Sequence, residues 1–268
     1  MMFDIKQFSP RVIDLGLRYL TKVWNSSKPF PHLITLTSMV AKGCKFEVTT
    51  PIEEGRVVSL GGEAEFMRKF LGEIREGDVV FDIGSCVGLY ALHLSLLGRR
   101  VVAFEPDPNY RSRLLRNISL NNLQDQIQVV EWAVSDRKGE AMLYTDGVEG
   151  LSPSLRLVGE RGAVVISTDS IDNALARGEL PHPTVIKMDI EGAEILALRG
   201  MRQLLSSTNP PDRLFIELHP QFLPHFGSSV DECLSIIKFY GYVQEYFVLR
   251  ADQLHCIFKY KNRQGLSN

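Results

Sequence analysis

The sequence has few cysteines, no long apolar run, no block of like charge and no dinucleotide-type glycine fingerprint. Cys44, Cys86, Cys233 and Cys256 stand far apart. That spacing excludes a CxxC-type zinc site and a disulfide framework, so a reducing, cytoplasmic setting is expected. Nowhere do about 18 uncharged apolar residues follow one another, which excludes a membrane-spanning helix. Asp4 and Lys6 interrupt the place where a signal peptide needs apolar residues. No run of Lys or Arg exceeds two, and 30 basic against 32 acidic side chains give a net charge of −2. A nucleic-acid partner, which would need a clustered basic face, is therefore not expected. What remains is 268 residues, 44% hydrophobic and 23% charged, enough for one α/β domain with an N-terminal extension.

The extension is read as residues 1–62, the main domain as 63–262 and a short tail as 263–268. Within the extension, Ile13, Leu17, Leu20 and Trp24 recur at helical spacing after Ser9-Pro10, which predicts an amphipathic helix over 10–24. Such a helix packs on the core or on a partner subunit, or serves as a lid or surface anchor, and a homo-oligomer is allowed. Short β-prone stretches at 33–37, 46–49 and 56–60 follow, separated by glycines and prolines.

From residue 63 the pattern becomes regular, with a helix over 63–74 and strands at 79–83, 101–104, 127–133, 185–188 and 214–218. Helical patterns at 89–97, 108–121, 191–205 and 230–240 lie between most of the strands. Such alternation predicts a Rossmann-like, doubly wound, mostly parallel sheet covered on both faces. Residues 242–249 and 255–260, joined by a turn at 250–254, read as a closing antiparallel hairpin. Residues 139–167, with Gly139, Gly147, Gly150 and Pro153, read as an inserted hairpin or loop.

The first strand of the main domain runs into Asp82-x-Gly84-x-x-x-Gly88 and then directly into a helix. Glycines at a strand-to-helix turn let a ligand approach the backbone, and the helix start offers free N–H groups. The spacing fails GxGxxG at its second glycine, which disfavours a nicotinamide-dependent oxidoreductase. The next strand ends in Phe104-Glu105-Pro106. An acidic residue about 20 positions after the glycine turn suits hydrogen bonding to ribose hydroxyls, so Glu105 is read as the nucleoside reader.

With these pieces in place, the chain resembles the FkbM-type family of class I S-adenosylmethionine-dependent methyltransferases. The resemblance is carried by the turn at 82–88, by Phe-Glu-Pro at 104–106 and by Ala-Val-Ser-Asp at 133–136. Ser-Ile-Asp stands at 170–172, where the family favours Thr-Leu-Asp, and Ile-Lys-Met-Asp-Ile-Glu-Gly-Ala-Glu at 186–194 is the most diagnostic block. It spans roughly residues 63–260. One departure is Ser85-Cys86, where the family more often has Ala-Asn, and small polar residues still fit the turn. The resemblance implies S-adenosylmethionine as the cofactor. Asp82 would then hold its ammonium group directly or through water, the backbone over Gly84, Ser85 and Gly88 would face the methionine moiety, and Glu105 would bind the ribose. The adenine would lie near Trp132, Ala133 and Val134, although a tryptophan there is equally suited to the core.

Methyl transfer from a sulfonium is an in-line displacement, so such an enzyme must align a nucleophile and accept its proton. The groups for this belong at the carboxyl ends of the fourth and fifth strands, beside the cofactor. Those ends carry Asp189, Glu191 and Glu194, and then Glu217 and His219 on one strand face. His219 or Asp189 is read as the proton acceptor, with Glu217 orienting one of them, and Asp189 also as a cofactor contact. Glu191 and Glu194 alternatively stabilise a helix N-terminus, and Lys187 is read as a packed sheet-face residue. Asp189, Glu191, Glu217 and His219 are also donors that a divalent cation accepts, but no metal is assigned. The implied activity is methylation of a hydroxyl on a small molecule or a sugar or glycan precursor. The contrasting reading is a non-catalytic cofactor-binding scaffold, disfavoured because Asp82, Glu105 and Asp189 are all intact.

Overall fold

A computed structural model describes residues 29–36, 42–59, 63–144, 155, 162–250 and 252–261. The amphipathic helix expected over 10–24, the tip of the 139–167 insertion and the tail at 263–268 lie outside the described residues. Among the described residues, no helix is long and apolar enough to cross a membrane.

The centre is a seven-stranded sheet. Strands β3 (Val79–Ile83), β4 (Arg100–Phe104), β5 (Ile127–Val130), β9 (Val185–Met188) and β10 (Arg213–Leu218) are parallel. The hairpin of β11 (Tyr242–Arg250) and β12 (Gln253–Tyr260) closes one side, giving the order β11-β12-β10-β9-β3-β4-β5. β12 runs antiparallel to β10, with Glu217 opposite His255. The chain winds outward from β3 through β4 to β5 and then restarts at β9 on the other side of β3. The crevice past the carboxyl ends of β3 and β9 is thus the topological switch point, where doubly wound sheets bind ligands.

Alternation along the strands gives the sheet two apolar faces. Val80, Ala103, Val185 and Phe215 pack with Phe66 and Phe70 of α2 (Ala64–Glu73), Leu92 of α3 (Leu89–Leu96) and Leu114 of α4 (Pro108–Leu120). On the other face, Phe81, Phe104, Ile186 and Ile216 pack with Leu198 of α6 (Glu194–Arg199), Leu204 of α7 (Arg202–Ser206) and Ile237 of α8 (Val230–Phe239). Helix starts follow local chemistry. Asp107 accepts from the amides of Asn109 and Tyr110, with Pro108 in the first turn of α4, and Ser229 caps α8. A small sheet of order β6-β8-β7 holds β6 (Ala133–Val134), β7 (Gly139–Tyr144) and β8 (Ala163–Asp169). The expected insertion is thus a hairpin. Ser170 caps the short α5 (Ile171–Ala176), a helix not anticipated from the sequence.

Three expectations are corrected. The strand expected over 56–60 is not formed by residues 56–59, because these belong to α1 (Pro51–Ser59), which follows the antiparallel pair β1 (His32–Thr35) and β2 (Lys45–Val48). Thr50 Oγ1 accepts from the Glu53 amide at its start, Pro51 occupies the first turn and Val57 is buried. The strand expected over 127–133 stops at Val130, whose carbonyl accepts from the Glu105 amide, and Ala133 turns away to pair with Thr168. The helix expected over 191–205 begins only at Glu194, since Glu191 and Gly192 are left-handed at φ 54° and 101°, and it breaks after Arg199. At the break, Asp172 accepts from the amides of Gln203 and Leu204 at 2.8 and 2.9 Å. The aspartate of the Ser-Ile-Asp motif is therefore a cap for a second, separate helix.

Candidate active site

The glycine turn brings the two halves of the sheet together. Gly84 has φ 86°, and a Cβ there would run into the backbone carbonyl oxygen of Asp189. The loops after β3 and β9 thus touch where only a glycine fits. The amides of Gly84 and Ser85 donate to the Phe104 carbonyl at 3.1 and 3.0 Å, and the Ser85 hydroxyl donates to the Asp82 carbonyl at 2.7 Å. Gly88, at φ 93°, starts α3 and packs so that a Cβ would strike Leu92 and Leu114.

Glu105 ties the turn to the second strand. Its Oε2 accepts from the Cys86 amide at 2.7 Å and its Oε1 from the Asp107 amide at 2.9 Å. Each oxygen keeps a second lone pair for a hydroxyl. Asp82 is wholly buried, and neither of its carboxylate oxygens makes a well-formed hydrogen bond among the described residues. Trp132 stands edge-on to Phe104, ring centroids 5.2 Å apart, and with Arg111, Val130, Glu131 and Leu180 it lines an open groove of about 440 Å³. Ala133 and Val134 are buried in β6.

A row of charges crosses the sheet beside this turn. Lys187 is buried, with Nζ 3.7 Å from Asp82 Oδ1, 3.8 Å from Asp189 Oδ2 and 4.8 Å from the centre of the Tyr90 ring. Burial opposes its charge, but Asp189, Asp82 and Glu217 outweigh burial and raise its pKa. Asp189 is held below the usual carboxylate range despite its burial, chiefly by Lys187 and then His219. Lys187 is therefore the counter-ion of the site as well as a packed stem.

The expected pairing of Glu217 is corrected. Its Oε2 lies 3.1 Å from His255 Nε2 across the β10–β12 ladder, and the residue that orients His219 is Glu194, whose Oε1 is 2.8 Å from Nδ1. The imidazole stacks on Phe222, and its Nε2 faces Gln253 Nε2 at 3.1 Å, Asp189 Oδ1 at 3.6 Å and Glu191 Oε2 at 3.7 Å. Burial works against the charged ring, but Glu194, Glu191 and Asp189 push its pKa up to about 10. At neutral pH His219 carries its proton, which leaves it unsuited to take another from an acceptor.

Several participants lie outside the motifs. Arg56 of α1 reaches over the turn, Nη1 3.8 Å from Cys86 Sγ, with Asp189 and Glu191 among the groups that raise its pKa. Glu63 accepts from the Tyr90 hydroxyl and from Arg250, each at 3.2 Å. Glu53 and Thr49 are joined to Arg113 of α4, fastening α1 beside the site. The sequence signals a cap at Thr50-x-x-Glu53, but nothing in it places Arg56 or Glu63 at the crevice.

Burial raises Glu63, Glu105 and Glu191 from 4.5 to about 7 and Glu217 to about 8. A carboxyl whose pKa is raised on folding binds its proton more tightly in the folded chain, so stability is lost as pH climbs from 4.5 through those values. His219, raised from 6.5 to about 10, contributes stability that is complete below 6.5 and lost as pH rises through 10. Both effects have one sign. The melting midpoint should therefore fall continuously between about pH 6 and 10, read by differential scanning fluorimetry in matched salt. A flat or rising profile would contradict this placement of the four glutamates.

Comparisons with known proteins identify the family. The FkbM methyltransferase domain matches residues 82–243. Hexuronic acid methyltransferase AglP of Haloferax volcanii is 31% identical over 175 residues, 65% of this chain and 70% of that protein. The 31-O-demethyl-FK506 methyltransferase FkbM of Streptomyces tacrolimicus is 30% identical over 146 residues, 48% of this chain, which spans only 53% of that relative. Among solved structures, methyltransferase FkbM from Methylobacillus flagellatus is similar at 24% identity and a TM-score of 0.46, over 70% of this chain and 45% of that one. The chain belongs to the FkbM methyltransferase domain family and is a methyltransferase.

Proposed function

We propose that the protein transfers a methyl group from S-adenosylmethionine to an oxygen of a sugar-containing or other small acceptor. The observation that carries this reading is the meeting of Gly84 and Asp189 at the switch point, with the buried carboxylate of Asp82 beside it. The Asp82 carboxylate, paired with Lys187 at 3.7 Å but with no well-formed hydrogen bond among the described residues, suits the ammonium group of a ligand, and the glycine backbone leaves room for an extended chain. Asp82, Gly84, Ser85, Gly88 and Asp189 would hold the methionine part, Glu105 the ribose, and Trp132, Ala133 and Val134 would lie near the adenine. When bound, the cofactor supplies an electrophilic methyl group on a sulfonium.

The chain's own part is to align the acceptor oxygen and take its proton. Asp189 and Glu191 stand half-buried beside the turn, and burial holds Glu191 at about 7, where a carboxylate serves as a base near neutrality. His219, held by Glu194, stands beside both carboxylates, while Glu217 and His255 face each other across β10 and β12. The sugar acceptor of AglP makes glycans and uronic acids the first acceptors to test.

Calorimetric titration tests the reading directly. S-adenosylmethionine and S-adenosylhomocysteine should bind and NAD should not. Asp82→Asn and Glu105→Gln should each weaken that binding by roughly 1–3 kcal/mol if they lose charge-assisted hydrogen bonds. NAD binding without S-adenosylmethionine binding, or no binding by the intact protein, would overturn it.

A further inference from the structure

We propose that Arg56 of α1 is a cofactor-binding residue, its guanidinium holding the carboxylate of the methionine part while Asp82 takes the ammonium. The proposal rests on the methyl-transfer reading and supplies a partner for the negative charge at that end of the cofactor.

A glycine turn that opens a helix ordinarily offers an anion its backbone N–H groups. Here those groups are already engaged. The amides of Gly84 and Ser85 donate to the Phe104 carbonyl, that of Cys86 to Glu105 Oε2 and that of Gly88 to the Ser85 carbonyl. The Val87 amide faces the Cys86 sulfur. Side chains of the turn add little, since the Ser85 hydroxyl donates to the Asp82 carbonyl at 2.7 Å and a thiol is a weak donor. Lys187, a buried cation beside the turn, stands between Asp82 and Asp189. The carboxylate of Asp82 therefore suits the positive end of an amino acid, while residues 84–88 keep no uncommitted donor for the negative end.

Arg56 supplies that donor from outside the turn. Its Nη1 stands 3.8 Å from the sulfur of Cys86, the middle residue of the turn. Burial pushes the Cys86 thiol up to about 12, so at neutral pH the sulfur is uncharged and calls for no cation. Glu191 and Asp189 act electrostatically on the same guanidinium, whose five N–H groups can serve them and a bound carboxylate together. The helix holds Arg56 in this place. Glu53, Arg56 and Val57 recur at i, i+3 and i+4 and share the inward face of α1, where Glu53 and Val57 are buried. Glu53 accepts from the Thr49 amide and hydroxyl at 2.6 and 2.7 Å and from Arg113 at 3.2 Å, which fixes the first turn of α1 against α4. A planar guanidinium then meets a carboxylate through two parallel N–H bonds.

Calorimetry on the full chain tests this with two ligands that differ in the carboxylate alone, S-adenosylmethionine and its decarboxylated form. The parent should prefer S-adenosylmethionine by about 10–100-fold. Arg56→Gln should lose that preference by weakening S-adenosylmethionine alone, and Arg56→Lys should keep part of it. Far-ultraviolet circular dichroism shows that each variant is folded. Equal affinities of the parent for the two ligands would overturn the proposal, and that result needs no variant. So would an undiminished preference in Arg56→Gln, or a loss of the same size for both ligands, which would mark the residue as a support of the turn. Failure of the parent to bind either ligand would overturn the methyl-transfer reading itself and this proposal with it, so the two failures can be told apart.

Discussion

Replacing Lys187 by Met should destabilise the protein by about 3–5 kcal/mol, because it removes one partner of a buried charge pair and leaves the others uncompensated. Lys187 is 3% exposed and stands between Asp82 and Asp189. Without it, Asp82 would be buried with neither a cation nor a well-formed hydrogen bond. Methionine nearly conserves the volume, so the loss is one of charge. Chemical denaturation at neutral pH measures it. The deficit should shrink on mild acidification, because burial already raises the pKa of Asp82, and protonation removes the stranded charge. Asp82→Asn on the Lys187→Met background should restore part of the loss, giving a coupling energy in a double-mutant cycle. A loss below about 1 kcal/mol, as at an exposed pair, would show that the lysine is not the counter-ion described.

Gly84→Ala should abolish cofactor binding while a matched glycine substitution elsewhere leaves it intact. Left-handed backbone alone costs an alanine roughly 1–2 kcal/mol. At Gly84 the new methyl also meets a backbone carbonyl, with Ile190 Cγ2 at 3.2 Å, and a carbonyl at a strand end cannot swing aside as a flexible side chain would. The loops after β3 and β9 must separate. Gly77 is the control, at φ 85° with nothing within 4 Å of an added Cβ. Gly77→Ala should lose only the conformational cost and bind S-adenosylmethionine as the parent does. Equal affinities in the two variants would mean that the close approach at Gly84 has no part in shaping the pocket.

The parallel sheet was legible because its strands are near-continuous apolar runs, as Val79–Ile83 and Val185–Met188 are apart from Asp82 and Lys187, and because turns with glycine follow them. The glycine turn, the ribose-side acid and the acidic block after β9 were legible as motifs. Their partners were not. Val57 and Val58 made residues 56–60 read as a strand, although the cap at Thr50 and the burial of Val57 decide for a helix. Glu194 read as a helix-stabilising charge, since its real partner, His219, is 25 positions away, just past the end of β10. Glu217 and His219 share a strand face in sequence, yet β12 supplies His255 opposite Glu217, and a pattern on one strand carries no information about what a later strand will set against it.

The contact between Glu63 and Arg250 joins positions 187 apart in the chain, and β3 gains its second neighbour, β9, about a hundred residues after it is made. Joining such distant segments costs loop-closure entropy before any contact offsets it, so contacts of this kind form slowly and late. During synthesis, β3, β4 and β5 emerge with the backbone N–H and C=O groups along one edge of β3 unpaired until β9 is made, an exposure that favours aggregation in larger chains. The crevice gains the His255 side of its wall only when β12 pairs with β10, long after β3 has been made.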